Sequence, residues 1–349
     1  MTYDPDPCGM LRAREAVGRY YGERGATVRP ENIFLTTSTS EAYSWLFRLL
    51  CDPGDEVLIA QPSYPLFDFL AQIEDVRLVP YPLFYDHGWQ IDFAGLWERV
   101  TPRTKAIAVV HPNNPTGHFT KDAERRELGQ ICAAHGLALI VDEVFLDYPF
   151  ADSGAEGDSP LCGPRSFGRG RSFAGGDPLC LTFVLSGISK IAALPQMKAA
   201  WIAALGPEAE LSEALARVEI VADTFLSMNA PVQCALPAWL AGCGSLQEQI
   251  RARTGANLRS LDQMLLQNPA VTRLEVEAGW YAVLRVPAFE RDEDLAVRLV
   301  EEHGVSVHPG YFFGFAGEGW LVVSLLGPEE EFRRGIEGIG SRFSETAGR

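Results

Sequence analysis

Short apolar runs typical of β-strands alternate with helical segments along most of this chain, and this alternation limits the possible folds more than any other feature. The strand-like runs are 33–35, 57–60, 106–110, 137–141, 181–185 and 199–205. Helical spacing of apolar residues occurs between them, as in 121–135 and in 40–51, where Ser40 is the expected N-cap. This order predicts α/β units around a mostly parallel sheet that is buried on both faces.

The chain divides into two unequal parts at a glycine-containing segment. A helical region extends from Pro207 to about residue 241, and Gly242-Cys243-Gly244 follows it. We therefore predict a large α/β domain over 1–242 and a small α+β domain over 243–349. The glycine- and serine-rich stretch 151–179 interrupts the strand–helix pattern, which predicts a long surface loop, with a functional lid as the alternative.

Charge and cysteine content exclude several classes of protein. The chain has 349 residues, with 30 Lys and Arg against 46 Asp and Glu, a formal net charge of −16. Such an acidic surface repels nucleic acid and anionic membranes. The beginning of the chain has no signal-peptide pattern, and no apolar run is long enough to span a bilayer. Seven scattered cysteines without a CxxC pair favour a soluble, cytoplasmic protein with reduced thiols and no metal site.

Residues that can carry chemistry follow several of the predicted strands. Ligands of such sheets bind beyond the carboxyl ends of the strands. The hydroxyl-rich turn 36–42 suits an anion or a simple helix cap, and Asn114 stands in a turn held by two prolines and a glycine. Asp142 ends a buried strand and needs a cation or a protonated nitrogen as its partner. Lys190 is either a surface residue or a nucleophilic amine that forms Schiff bases.

In this order, the segments resemble the pyridoxal-phosphate-dependent class I/II aminotransferases of the aspartate aminotransferase superfamily, fold type I. The most specific motifs are Asn-Asn-Pro-Thr-Gly at 113–117 and Ser-Gly-Ile-Ser-Lys at 186–190, with their spacing to Asp142. The likeness extends from Tyr3 to about Phe343. It implies a three-layer, mostly parallel sheet with a smaller C-terminal domain, a homodimer, and ping-pong transfer of an amino group between an amino acid and a 2-oxo acid.

The resemblance also implies a role for each residue around the cofactor, pyridoxal 5'-phosphate. Lys190 is the catalytic residue, which forms the internal aldimine and then shuttles a proton. Asp142 pairs with the protonated pyridine nitrogen and keeps the ring an electron sink. Asn114 donates to the phenolate oxygen, and Tyr64 stacks on the ring.

Hydroxyl groups, one cation and one tyrosine would hold the phosphate. By the same resemblance, these residues are Ser38, Thr39, Ser40, Ser189, Lys198 and Tyr3. Tyr3 would cross the dimer interface to the phosphate of the partner subunit, so that the two active sites are shared.

Three departures from the family pattern concern the cofactor and the front of the chain. Lys198 stands where the family has an arginine on the phosphate, which keeps the charge and loses the bidentate geometry. Phe145 replaces a tyrosine that donates to the phenolate, and this loss is expected to raise the pKa of the cofactor's imine. Relatives carry a few dozen residues before the position of Tyr3, so the N-terminal segment 1–11 is short by comparison.

The fourth departure concerns the substrate. Val322, in Leu-Val-Val-Ser at 321–324, stands where the family has the arginine that binds the substrate's α-carboxylate. Either another residue supplies the charge, for which Arg285 and Arg12 are candidates, or the substrate is not held there, or the protein is not an active α-amino-acid transaminase. The alternatives to an aminotransferase are therefore a lyase, decarboxylase or synthase with the same cofactor, or a catalytically impaired homologue that binds it.

Overall fold

A computed structural model describes residues 5–65, 67–150, 171–226 and 228–346. Its main sheet has eight strands in the order β1-β8-β7-β6-β5-β2-β3-β4. They are β1 (Ile33–Thr36), β2 (Glu56–Gln61), β3 (Arg77–Tyr85), β4 (Trp89–Ile91), β5 (Thr104–Val110), β6 (Ala138–Asp142), β7 (Thr182–Gly187) and β8 (Ala200–Leu205). The central strands β3, β2, β5, β6 and β7 are parallel, and β8 and β4 run against their neighbours. The predicted mostly parallel α/β sheet is confirmed.

Eleven α-helices surround the strands within the described ranges. They are α1 (Leu11–Gly22), α2 (Thr39–Leu50), α3 (Phe67–Ile73), α4 (Phe93–Trp97), α5 (Asp122–His135), α6 (Ile188–Ile191), α7 (Glu208–Phe225), α8 (Ala230–Gly242), α9 (Gly244–Gln267), α10 (Asp292–His303) and α11 (Glu329–Thr346). Among these described residues, no helix has the length and apolar character needed to cross a membrane.

Alternate residues of the central strands pack on opposite faces of the sheet. On β5, Ile107 and Val109 belong to one core with α1, α5 and α8. Ala106, Ala108 and Val110 belong to a second core with α2 and α7. Every residue of β6 and β7 is buried. Helices on both faces therefore leave the strand ends as the place where polar side chains reach a ligand.

A second, smaller sheet is antiparallel and has the order β11-β12-β10-β9. Its strands are β9 (Thr272–Arg273), β10 (Tyr281–Arg285), β11 (His308–Pro309) and β12 (Trp320–Ser324). One face packs against α9, α10 and α11 through residues such as Leu284 and Leu321. On the other face, Val283 and Val322 pack with aromatic side chains that include Trp89 of the main sheet.

The structure corrects several local predictions. The N-cap of α2 is Ser38 rather than Ser40, because the Ser38 hydroxyl accepts from the Glu41 N–H at 3.1 Å. The helical region after Pro207 is two helices, separated near Leu226, whose φ is +67°. Strands β3 and β4 and the short helices α3 and α4 were not predicted from the sequence. Of the predicted loop 151–179, residues 171–179 contain neither helix nor strand, and the rest lies outside the described residues.

Candidate active site

Four of the predicted site residues follow neighbouring parallel strands. Tyr64 comes after β2, Asn114 after β5 and Lys190 after β7, and Asp142 is the last residue of β6. Residues Val110, Asp142 and Leu185 are direct neighbours across β5, β6 and β7. Because these strands end at one edge of the sheet, the four side chains are grouped there. We call this edge, defined by those four residues, the cofactor edge.

Asp142 is a buried carboxylate at the centre of the cofactor edge. Its Oδ1 accepts from the Val144 N–H at 3.1 Å. Burial raises the pKa of Asp142 to about 6, although the Val144 N–H, the charge of Lys190 and the Tyr43 hydroxyl act in the opposite direction. A buried acid of this kind is stabilised as a carboxylate when a cationic ligand lies against it.

Lys190 lies in a largely aromatic environment. Its Nζ is 5.7 Å from the centre of the Phe145 ring and 5.3 Å from the ring centre of Trp280. Burial lowers the pKa of Lys190, and the charge of Asp142 opposes this change. The Tyr148 hydroxyl donates to the backbone carbonyl of Lys190, which helps to fix the main chain. Because its pKa is lowered, a larger fraction of Lys190 is the neutral, nucleophilic amine at a given pH than of an exposed lysine.

Asn114 and Tyr64 present a polar and a flat aromatic group between these residues. Asn114 is buried, and its Oδ1 has no hydrogen-bond partner within the described residues. The neighbouring Asn113 is already committed to the turn, since its Nδ2 donates to Thr116 at 2.8 Å. The Tyr64 ring is 38% exposed, and its pKa is raised by burial and by the charge of Asp142. Asn114 and Tyr64 are thus the groups that remain available to a ligand.

The other predicted residues lie around the ends of β1, β8 and β7. Thr36 and Gly187 are both aligned with Ala200, so the beginnings of α2 and α6 flank the beginning of β8. Ser38, Thr39 and Ser40 open α2, Ser189 lies in α6, and exposed Lys198 precedes β8. The first N–H groups of α2 point away from the helix and its dipole is positive there, so the segment suits an anion.

Pyridoxal 5'-phosphate fits this set of residues. Its phosphate matches the hydroxyl and lysine groups at the beginnings of α2, α6 and β8, and its protonated ring nitrogen matches the buried Asp142. Its ring oxygen needs a hydrogen-bond donor, and the Nδ2 group of buried Asn114 has that chemistry. Its aldehyde carbon needs an amine such as Lys190.

Comparison with known proteins agrees with this chemistry. The family model of "Aminotransferase class I and II" matches residues 5–339. The chain belongs to the class I and II aminotransferases. It is 28% identical over 345 residues to an alanine aminotransferase of Mycobacterium bovis, covering 96% of this chain and 77% of the relative. It is 26% identical over 351 residues to an arginine–pyruvate transaminase of Pseudomonas aeruginosa, covering 99% of this chain and 84% of the relative.

A solved structure shows the same fold. An alanine aminotransferase from Pyrococcus furiosus aligns with a TM-score of 0.87 and 24% identity, over 98% of this chain and 84% of that one. The predicted family, the fold type I architecture, the cofactor pyridoxal 5'-phosphate and the enzyme class are therefore confirmed. The chain is an aminotransferase that acts between amino acids and 2-oxo acids.

Sequence reasoning missed the residues that approach the site from outside the strand ends. Tyr43 comes from the interior of α2, and its pKa is raised by burial and by the charge of Asp142. Trp280 and Tyr281 lie at the beginning of β10 in the second sheet. Trp280 packs there against Phe145 and Tyr148, which follow β6 of the main sheet. An aromatic residue in an amphipathic helix or a short strand looks like ordinary core. The sequence offered one signal for them: Gly279, a residue typical of turns, stands directly before Trp280 and Tyr281.

Each of the two alternative cations contacts a side chain outside the cofactor edge. Val322 is fully buried, paired with Val283 on β10 and His308 on β11. Arg285 lies on the same face of the second sheet, but its guanidinium stacks over the Trp320 ring at 4.2 Å. It also stands four residues beyond Tyr281, about 13 Å along the strand. Arg12 is committed elsewhere, since it donates to the Cys234 thiol.

Proposed function

We propose that Lys190 is the residue that holds pyridoxal 5'-phosphate covalently and moves the proton during amino transfer. The observation that carries this proposal is the pairing of a partly desolvated lysine with a buried carboxylate at the ends of adjacent parallel strands. The cofactor, when bound, supplies an electron sink for negative charge that develops on the substrate. Lys190 Nζ is the group at this edge that can accept and return a proton there.

The other side chains of the cofactor edge would orient pyridoxal 5'-phosphate. Asp142 would pair with the ring nitrogen, Asn114 would bond the ring oxygen, and Tyr64 would stack on the ring. The phosphate would be held by the residues at the beginnings of α2, α6 and β8. These are Ser38, Thr39, Ser40, Ser189 and Lys198.

The assembly and location follow from the family resemblance. We propose a cytoplasmic homodimer in which Tyr3 of each protomer reaches the phosphate in its partner. Tyr3 lies outside the described residues. We also propose a large cofactor-binding domain over 1–242 and a small domain over 243–349. The beginning of α9 at Gly244 and the separate second sheet support this division.

The absorption spectrum of the cofactor-loaded protein tests the proposed activity. Single amino acids should convert the band of the lysine-bound cofactor into that of its amino form, and a 2-oxo acid should reverse the change. A Lys190→Ala control should lack the lysine-dependent band and lose at least about a thousandfold in rate. A band that no amino acid changes in the wild-type protein would contradict the proposal.

Two observations favour a second reaction of the same cofactor beside amino transfer. Phe145 provides no hydroxyl beside Lys190, and buried Val322 provides no charge for a carboxylate. Product analysis separates a lyase, decarboxylase or synthase from an aminotransferase. Only transamination leaves the amino group on the cofactor at the end of the first half-reaction.

A further inference from the structure

The wall that faces Lys190 is formed by aromatic side chains from two parts of the chain. Phe145 follows β6, and Trp280 and Tyr281 lie at the beginning of β10. The Phe145 ring is 5.4 Å from Trp280 and 6.4 Å from Tyr281, centre to centre, with edge-to-face geometry in both pairs. We call these three side chains the aromatic wall. Phe145 and Trp280 are buried, whereas Tyr281 is half-buried and close enough to Tyr64 to raise the pKa of that residue.

A second apolar layer lies behind the aromatic wall. Val322 and Val283 pack there with Trp89, Phe313 and Phe315, and Tyr281 touches both layers. All five members of this layer are less than a tenth exposed. Val322 is fully buried within this layer, so a substrate carboxylate at Val322 would have to enter an apolar environment without a counter-ion.

The aromatic wall has little positive charge to offer. Burial raises the pKa of Tyr281, and within the described residues no cation opposes that rise. The rise in the pKa of Tyr64, across the site, is likewise opposed by no cation of the described residues. The polar groups of the wall are the Tyr281 hydroxyl and the Trp280 indole N–H, and the latter is buried without a hydrogen-bond partner among the described residues. An indole N–H can bond an oxygen but cannot neutralise a carboxylate.

We infer that the aromatic wall binds an apolar group of the substrate and that the α-carboxylate contributes little to binding there. The preferred substrates are amino compounds with an aliphatic or aromatic body, with or without an α-carboxylate. This inference rests on the proposed function, because it names the substrate class of the same site. Tyr281 is the specificity-determining residue, since it is the half-buried member of the wall and lies near Tyr64.

Matched pairs of substrates test the inference on the unaltered holoenzyme. Phenylalanine and 2-phenylethylamine differ only in the α-carboxylate, as do leucine and 3-methylbutylamine. We expect kcat/KM within about tenfold inside each pair, whereas a carboxylate bound to an arginine would separate the members by about a hundredfold. We also expect leucine to exceed alanine by about tenfold or more, because its extra methylene groups are removed from water.

Binding provides a readout that does not depend on turnover. Calorimetric titration of the holoenzyme with 3-phenylpropan-1-ol and 3-phenylpropanoate compares an uncharged and a charged ligand of the same body. We expect the alcohol to bind at least as tightly as the carboxylate. A carboxylate that binds more than about a hundredfold tighter would overturn the inference.

Variants locate the effect within the second sheet. Tyr281→Ala should lower the leucine-to-alanine ratio of kcat/KM by about tenfold, whereas Tyr311→Ala, an exposed aromatic of the same domain, should leave it unchanged. Arg285→Ala tests the arginine on the same face of β10, and loss of activity with phenylalanine but not with 2-phenylethylamine would overturn the inference. Reaction with aspartate or glutamate only would also overturn it and leave the proposed function intact. Reaction with alanine but with none of the larger compounds would likewise overturn the inference alone, whereas a cofactor band that no amino acid changes would contradict the proposed function as well.

Discussion

The cofactor edge and the second sheet contribute to the same site in opposite ways. The cofactor edge keeps buried polar groups, with Asp142 at its centre and Asn114 beside it. The second sheet turns Val283 and Val322 toward the same region, and both are packed among aromatic rings. A buried carboxylate is tolerated where a ligand brings the opposite charge, whereas a face without a charged ligand can fill with apolar side chains. The difference supports both proposals, that the cofactor edge binds the cofactor and that the second sheet faces an apolar part of the substrate.

After the loss of Lys190, removing the carboxylate of Asp142 from the cofactor edge should have the largest effect on activity. We expect Asp142→Asn to lower kcat by about a hundredfold or more, because the amide cannot hold a proton on the ring nitrogen by charge. Steady-state kinetics and the spectrum of the bound cofactor measure the change.

Glu143→Gln is the matched control for this variant. Glu143 is the adjacent buried acid, but its carboxylate accepts from Ser172 Oγ at 2.7 Å and from the Phe173 N–H at 2.6 Å. It holds segment 171–175 rather than the cofactor, so the control should keep kcat within about tenfold. Equal losses in both variants would contradict the special role of Asp142.

The pH dependence of the free energy of unfolding tests whether the buried Asp142 carboxylate destabilises the protein when no cofactor is bound. Burial raises the pKa of Asp142 from 3.8 to about 6. The protonated Asp142 therefore stabilises the cofactor-free protein, by at most about 3 kcal/mol. This contribution is complete below about pH 4 and is lost as the pH rises through 6. Asp142→Asn should remove this part of the dependence in urea unfolding at pH 4 and pH 7.

His118 provides a comparison with the opposite sign. Burial lowers its pKa from 6.5 to about 3, so its contribution is present above pH 6.5 and is lost as the pH falls toward 3. His118→Gln should flatten the curve on the acid side and leave the Asp142 component in place. If neither substitution changes the pH dependence of the free energy of unfolding, both groups have ordinary pKa values in the folded protein.

The sequence predicted that the residues of the cofactor edge lie next to strand ends, and the structure places them there, whereas their roles stay predictions. Asp142 and Lys190 follow apolar runs that are easy to recognise, and their role depends on position along the chain rather than on packing. The aromatic wall was not predicted, because Trp280 and Tyr281 meet Phe145 only after the second sheet packs on the first. The cap of α2 was misplaced by two residues because several hydroxyl residues are adjacent and only hydrogen bonding selects Ser38.

Phe145 is the residue at which the cofactor edge and the second sheet meet. Substituting it should give the smallest effect of the substitutions proposed, a shift in the pH midpoint of the bound cofactor's absorption. It follows the cofactor edge in sequence and packs against Trp280 and Tyr281 of the second sheet. Phe145→Tyr would place a hydroxyl donor near Lys190 and the ring oxygen. Because a donor stabilises the deprotonated form of the bound cofactor, the pH midpoint of its visible absorption should fall by about one unit. Phe145→Leu, which removes the ring without adding a hydroxyl, should leave that midpoint unchanged. A fall in both variants would assign the shift to altered packing of the aromatic wall instead of to the hydrogen bond.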